Sequence, residues 1–78
     1  MSGEQYPVHE VVEVIEGRTI YKSGRTWIAV LRYRLMGREQ VALYKWRRRG
    51  DSWKRSAKFI ITKDMWGAIK EAVENMLK

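Results

Sequence analysis

Apolar residues recur along this chain first at helical spacing, then in alternation, then at helical spacing again. Val8, Val11, Val12 and Ile15 fit one face of a helix, with Pro7 suited to the first helical position and Gly17 to the residue just past the end. A short helix is expected there, although its β-branched residues favour a strand and Val14 sits off the helical face. Four strand-like runs follow, over residues 18–22, 25–36, 39–48 and 53–61. Ser23-Gly24, Gly37-Arg38 and residues 49–52 join them as turns. Connections this short leave no room for crossover helices, so the sheet should be an antiparallel meander. Last, Met65, Trp66, Ile69, Ala72, Val73, Met76 and Leu77 form one apolar stripe at helical spacing, with Thr62 as N-cap and Asp64 in the positive first turn. Gly67 inside this helix costs about 1 kcal/mol relative to alanine. The expected class is α+β: a four-stranded antiparallel meander between a short N-terminal and a C-terminal helix (α-β-β-β-β-α), as one domain over residues 1–78, of which 1–6 are a disordered tail.

Hairpin geometry turns these runs into faces. Glycine at the first centre of a Gly37-Arg38 loop sets Met36 opposite Glu39, hence Tyr33 opposite Ala42, Leu31 opposite Tyr44 and Ala29 opposite Trp46. A loop closed by Arg49-Gly50 sets Trp46 opposite Trp53 and Tyr44 opposite Arg55. One face then carries Trp27, Leu31, Tyr33, Leu35, Tyr44, Trp46, Trp53, Phe59 and Ile61. The other carries Ile28, Val30, Arg32, Arg34, Val41, Leu43, Lys45, Arg47, Lys54, Lys58 and Ile60. A one-residue slip would exchange every face. The aromatic face has two readings: a core covered by the helices, or a core whose Trp-rich end stays open as a stacking platform.

Charge changes the picture. Thirteen of the sixteen Lys and Arg residues fall between Arg18 and Lys58, against two acids, Glu39 and Asp51. The first seventeen residues hold four Glu and no base. Three of the four Trp and three of the four Tyr share the basic stretch. Cations interleaved with flat rings suit single-stranded nucleic acid, whose phosphates release their counterions to solvent when cations replace them and whose unpaired bases stack on aromatics. Trp27, Trp46 and Trp53 gather where Arg25, Arg47, Arg48, Arg49, Lys54 and Arg55 gather, and like charges repel without an anionic partner. Arginine also forks onto phosphate and stacks on bases, which lysine does not. The candidate nucleic-acid-binding set is Arg25, Trp27, Arg32, Arg34, Tyr44, Lys45, Trp46, Arg47, Arg48, Arg49, Trp53, Lys54, Arg55 and Lys58. The alternative for the arginine run is a solvated hairpin tip that deters strand pairing.

Other chemistry is poorly supplied. Without cysteine there is neither disulfide nor thiolate metal site, and His9 alone builds no zinc site. Glu10 and Glu13 share a helical face, but their better use is pairing with the basic sheet. A small nuclease would need clustered carboxylates or a nucleophile–base pair, and the basic stretch holds two acids. No enzyme, cofactor or metal is expected. No apolar run approaches the roughly 18–20 residues that cross a bilayer, and the first residues lack a signal-peptide pattern, so a cytoplasmic protein, with nucleoid association as an option, is expected. A chain this short has reason to dimerise, and Trp66, Ile69, Val73 and Met76 fit an interhelical seam. The partners expected are therefore single-stranded DNA, or RNA in the alternative, and further copies of the chain. Membership of a ribonucleoprotein, or of duplex DNA packaging, ranks below.

The strand Thr26-Trp-Ile-Ala-Val-Leu, the run Tyr44-Lys-Trp-Arg-Arg-Arg and the segment Phe59-Ile-Ile-Thr-Lys-Asp-Met-Trp resemble, in layout and composition over residues 7–78, two groups of single-strand binders. One is the ThermoDBP family of thermophilic archaea with its shorter related proteins. The other is the transcriptional-coactivator/Whirly type, sheets followed by a helix. An N-terminal helix leans towards ThermoDBP, whose members are longer and end in a coiled coil that this chain lacks or compresses into 65–78. What the resemblance implies is sequence-tolerant binding of single strands in a basic, aromatic-lined cleft, by an oligomer.

Overall fold

The computed structural model describes residues 5–77. Four strands, β1 (Glu13–Lys22), β2 (Thr26–Leu35), β3 (Arg38–Arg49) and β4 (Ser52–Ile61), precede one helix, α1 (Lys63–Met76). The strands form a single antiparallel sheet in the order β1-β2-β3-β4, the meander that the short connections require.

The N-terminal helix is not formed. Residues 5–12 run as an irregular strap, turned at His9, whose carbonyl accepts from Val12 N–H at 2.9 Å. From there Val12 and Val14 are half-buried while Val11, Glu13 and Ile15 are exposed, a two-residue alternation that marks a strand. The β-branched residues prevail over the helical spacing, and β1 begins five residues early. Gly17, expected to end a helix, lies within β1 under a ring. A Cβ there would come within 2.5 Å of Tyr6 Cε2 and 2.9 Å of Leu31 Cδ2, so the missing side chain makes room for Tyr6. Tyr6 thus packs on the sheet instead of belonging to a disordered tail; residues 1–4 of that expected tail lie outside the described residues.

Two turns move the register. Met36 and Gly37 form the β2–β3 loop with φ of 52° and 80°, the two positive values of a type I′ turn. Leu35 therefore pairs with Arg38, Tyr33 with Gln40, Leu31 with Ala42 and Trp27 with Trp46, two residues away from the expected partners. A shift of two preserves the faces. The β3–β4 loop is Gly50-Asp51, so Trp46 pairs with Arg55 instead of Trp53. A bulge then lets Lys45 pair with Ala57, passing over Ser56, and Tyr44 pairs with Lys58. That extra residue exchanges the faces along the rest of β4. Phe59 and Ile61, expected on the aromatic face, stand with Leu43 and Val41 on the other. Lys58 and Ile60 take their place beside Tyr44 and Ala42.

The core is Trp27, Ala29, Leu31, Tyr33, Ala42, Tyr44 and Trp46, all on the inner face of β2 and β3. Tyr6, Val8, Val12 and Val14 close it from above, with Leu35 and Trp53 at its margins. On the outer face Ile20, Val30 and Val41 border one shallow concavity, and Leu43 and Phe59 continue the apolar strip in the exposed state. Helix α1 covers neither face. It starts from Thr62, whose Oγ1 accepts Met65 N–H at 3.2 Å, and none of its residues is buried. Its stripe of Met65, Trp66, Val73, Met76 and Leu77 is exposed, Met76 at 83%. Among the described residues, no helix is long and apolar enough to cross a membrane.

Candidate nucleic-acid interface

Antiparallel order places the β1–β2 and β3–β4 loops at one end of the sheet, here the loop end, and Met36-Gly37 at the other, beside the start of α1. The cations differ between the two ends. At the Met36 end, Arg32 and Arg34 project from the outer face among carboxylates. Arg32 reaches Glu16 and Glu39 at 3.3 Å, and Arg34 reaches Glu13 at 3.3 Å and Glu39 at 3.2 Å. The register produces this directly, with Glu13 and Glu39 both opposite Arg34 and Glu16 opposite Arg32. Each pair is largely solvated and worth under about 1 kcal/mol. Their joint effect is to neutralise two arginines that the sequence placed among the nucleic-acid contacts. Glu13 pairs with the sheet as expected, though from a strand.

At the loop end the acid at hand is Asp51, in the β3–β4 loop, and among the described residues it makes no ion pair with the arginines around it. Strand β3 overruns the start of β2, so Arg48 and Arg49 lie beside the β1–β2 loop, and Arg48 N–H donates to the Arg25 carbonyl at 2.9 Å. Arg25, Arg47, Arg48 and Arg49 line an open concavity of about 540 Å³ with Gly24 and Gly50. Arg48 is braced there: its Nε donates to the Gly50 carbonyl at 3.3 Å, and its guanidinium lies 5.7 Å from the centre of the Trp53 ring. Lys54 stands opposite Arg47 on the outer face and Arg55 opposite Trp46 on the inner. Among the described residues, no carboxylate lies within ion-pair distance of these six or of Lys45.

The rings are placed otherwise than an open platform requires. Trp46 is fully buried, Tyr44 is 3% and Trp27 4% exposed. Tyr44 stacks on Trp46 at 5.3 Å between centres, Trp27 meets Trp46 at 5.2 Å, and Tyr6 of the strap lies over both indoles at 5.4 and 6.1 Å. Trp27 Nε1 donates to Thr19 Oγ1 at 3.0 Å. These three side chains are core, because rings of that size supply most of the apolar area a single-layer sheet can bury. Trp46 Nε1 is buried without a partner. Trp53, set edge-on to Trp27 at 5.6 Å and half-buried, is the member of the trio that reaches the surface.

Lys58 is a third kind of cation. The bulge turns it inward, where its Nζ lies 4.9 Å from the Tyr33 ring centre and 5.4 Å from that of Tyr44. Hydrogen bonding to Tyr33 raises the Lys58 pKa, and burial raises that of Tyr44. Sequence reasoning missed Tyr21 and Phe59, which stand exposed on the outer face. Strand bulges near Tyr21 and at Ser56 set their orientation, and a bulge leaves no mark in an alternation count. Among the described residues no group of three or more His, Asp and Glu side chains forms a metal site.

The class that fold and surface define is a small α+β domain, a four-stranded antiparallel meander with a C-terminal helix and one densely cationic end. Comparison with protein-family models, curated proteins and solved structures finds no match.

Proposed function

We propose that this chain binds single-stranded nucleic acid with little sequence preference and catalyses no reaction. The observation that carries this reading is the loop end, where among the described residues six cations make no ion pair, not even with Asp51 of the β3–β4 loop, although the same sheet neutralises Arg32 and Arg34. Such a cluster is unfavourable alone and gains when it neutralises phosphates, whose condensed counterions are released to solvent. Lys45, Arg47 and Lys54 continue the cationic surface along the outer face, and Trp53 offers one ring for a base. Arg32, Arg34 and the buried rings drop out of the contact set. Stacking and phosphate contacts do not read the 2′-hydroxyl, so DNA and RNA are both ligands of this surface.

The binding unit is a homo-oligomer, most simply a dimer. A sheet needs a layer on each apolar face, and the outer strip of Ile20, Val30, Val41, Leu43 and Phe59 has none. The same chain carries an uncovered apolar helix stripe, and joining the two in a second copy covers both.

Fluorescence titration with oligo-dT, oligo-U and duplex DNA at two salt concentrations tests the ligand. Four to six phosphate contacts give a slope of about −3 to −4 in log K against log salt for a single strand. A flat salt response, or preference for the duplex, rejects the reading. Trp53→Ala should weaken single-strand binding by about 1 kcal/mol or more while leaving the far-UV signal unchanged.

A further inference from the structure

Four arginines around one concavity exceed what a passing strand offers at one place. An internal nucleotide carries one charge and the next lies further along the chain, whereas Arg25, Arg47, Arg48 and Arg49 line one concavity where two loops meet, Arg47 and Arg49 from the outer face and Arg48 from the inner. The set contains no lysine, and guanidinium forks match adjacent phosphate oxygens two at a time. Part of the geometry is held in advance by the Gly50 carbonyl and Trp53 against Arg48, and by the backbone bond between Arg48 and Arg25. The rim is open as well: a Cβ at Gly24 or Gly50 would meet no atom within 4 Å.

We propose that this pocket takes an oligophosphate, two or three directly linked phosphates, presented as the 5′ end of a single strand. It rests on the single-strand reading and adds a fixed point to it. The terminal group sits in the concavity that the four arginines line and the strand leaves along the outer face over Arg47, Lys54 and Lys45, which sets its polarity. Free nucleoside triphosphate and inorganic tripolyphosphate share the chemistry and enter the same pocket.

The test uses the full chain and one RNA sequence ending in a 5′-hydroxyl, a 5′-monophosphate or a 5′-triphosphate, compared by anisotropy at fixed salt, with tripolyphosphate and a nucleoside triphosphate as competitors. The triphosphate end should bind at least about tenfold tighter than the hydroxyl end, a gain that two further charge-assisted contacts supply. Gly24→Asp, for which there is room, should bring the ends within about twofold of each other by placing a carboxylate among the guanidiniums. Arg25→Gln with Arg49→Gln should do the same by removing donors. Equal affinity of the wild-type chain for the three ends overturns the proposal and leaves single-strand binding standing. Binding of the triphosphate end and of tripolyphosphate, with none of the hydroxyl-ended strand, upholds the pocket and removes the single-strand reading.

Discussion

The two ends of this sheet both carry arginines and put them to opposite uses. At the Met36 end, Arg32 and Arg34 are enclosed by Glu13, Glu16 and Glu39. At the loop end, Arg25, Arg47, Arg48 and Arg49 line a concavity that has no acid in its lining. The neutral end is also the end from which α1 departs, because β4 finishes beside Val41 and Arg32. Charge is cancelled at the end that carries the exposed helix and left unpaired at the far end. Total charge alone therefore describes this protein badly; what matters is which cations have been supplied with partners by the strand register.

The largest effect is expected from the residue on which both ends depend. Trp46 is fully buried between Tyr44, Trp27 and the strap. Trp46→Ala should cost about 3–5 kcal/mol of unfolding free energy, read from urea melts. In a domain of this size that approaches the whole stability. A Trp46→Ala chain that melts like the wild type would return Trp46 to the surface and reopen the stacking platform.

Next comes the contrast itself. Arg47→Glu with Arg49→Glu should reduce affinity for a single strand on the order of hundredfold at low salt and flatten the salt slope. Arg32→Gln with Arg34→Gln should change it by less than about threefold, since those guanidiniums already hold carboxylates. Equal losses in the two double variants would erase the distinction between the ends.

Much of this arrangement was legible in the residues. Turn signals located all three hairpins, the stripe from Met65 to Leu77 located α1, and the excess of cations pointed to the strand β3 that carries the loop-end cluster. The faces of β2 and β3 came out correctly despite a register displaced by two, since only an odd displacement exchanges them. The odd displacement occurred in β4, through the bulge at Ser56, and there Phe59, Ile61, Lys58 and Ile60 were all assigned to the wrong side. The misjudged N-terminal segment had a second consequence. With Glu13 and Glu16 placed on a helix, the carboxylates that neutralise Arg34 and Arg32 had no visible position opposite them. Burial of the Trp pair was hidden for a related reason: the strap that covers it is irregular chain, and irregular chain has no period to read.

A smaller effect should come from the exposed stripe of α1. Ile69→Asp or Val73→Asp should lower the mass seen by light scattering to that of one chain. Each should weaken binding to long strands by about tenfold and to short ones much less, because two cationic ends on one strand act through effective concentration. The loop end of each copy is untouched, so short-strand affinity serves as the internal control. A wild-type chain that is monomeric at micromolar concentration would sever the link between the neutral end and assembly.

The smallest effect concerns Lys58, which is neither neutralised by a carboxylate nor left free. Its pKa is raised from 10.5, first through the hydrogen bond to Tyr33, and the neighbouring Tyr44 is raised from 10.0 by burial. Both groups hold their protons more firmly in the folded chain. Their contribution is complete below the unfolded values and is lost as the pH rises through the folded ones, so stability should decline on the alkaline side of pH 10. Lys58→Met keeps a stem to cover Tyr33 and Tyr44 but has no proton to lose. Its urea midpoint should fall less steeply with rising pH than that of the wild type, with the Tyr44 part of the decline remaining. Parallel declines would mean that Lys58 is as solvated as the cations at the loop end, and that the bulge at Ser56 does not give it a role of its own.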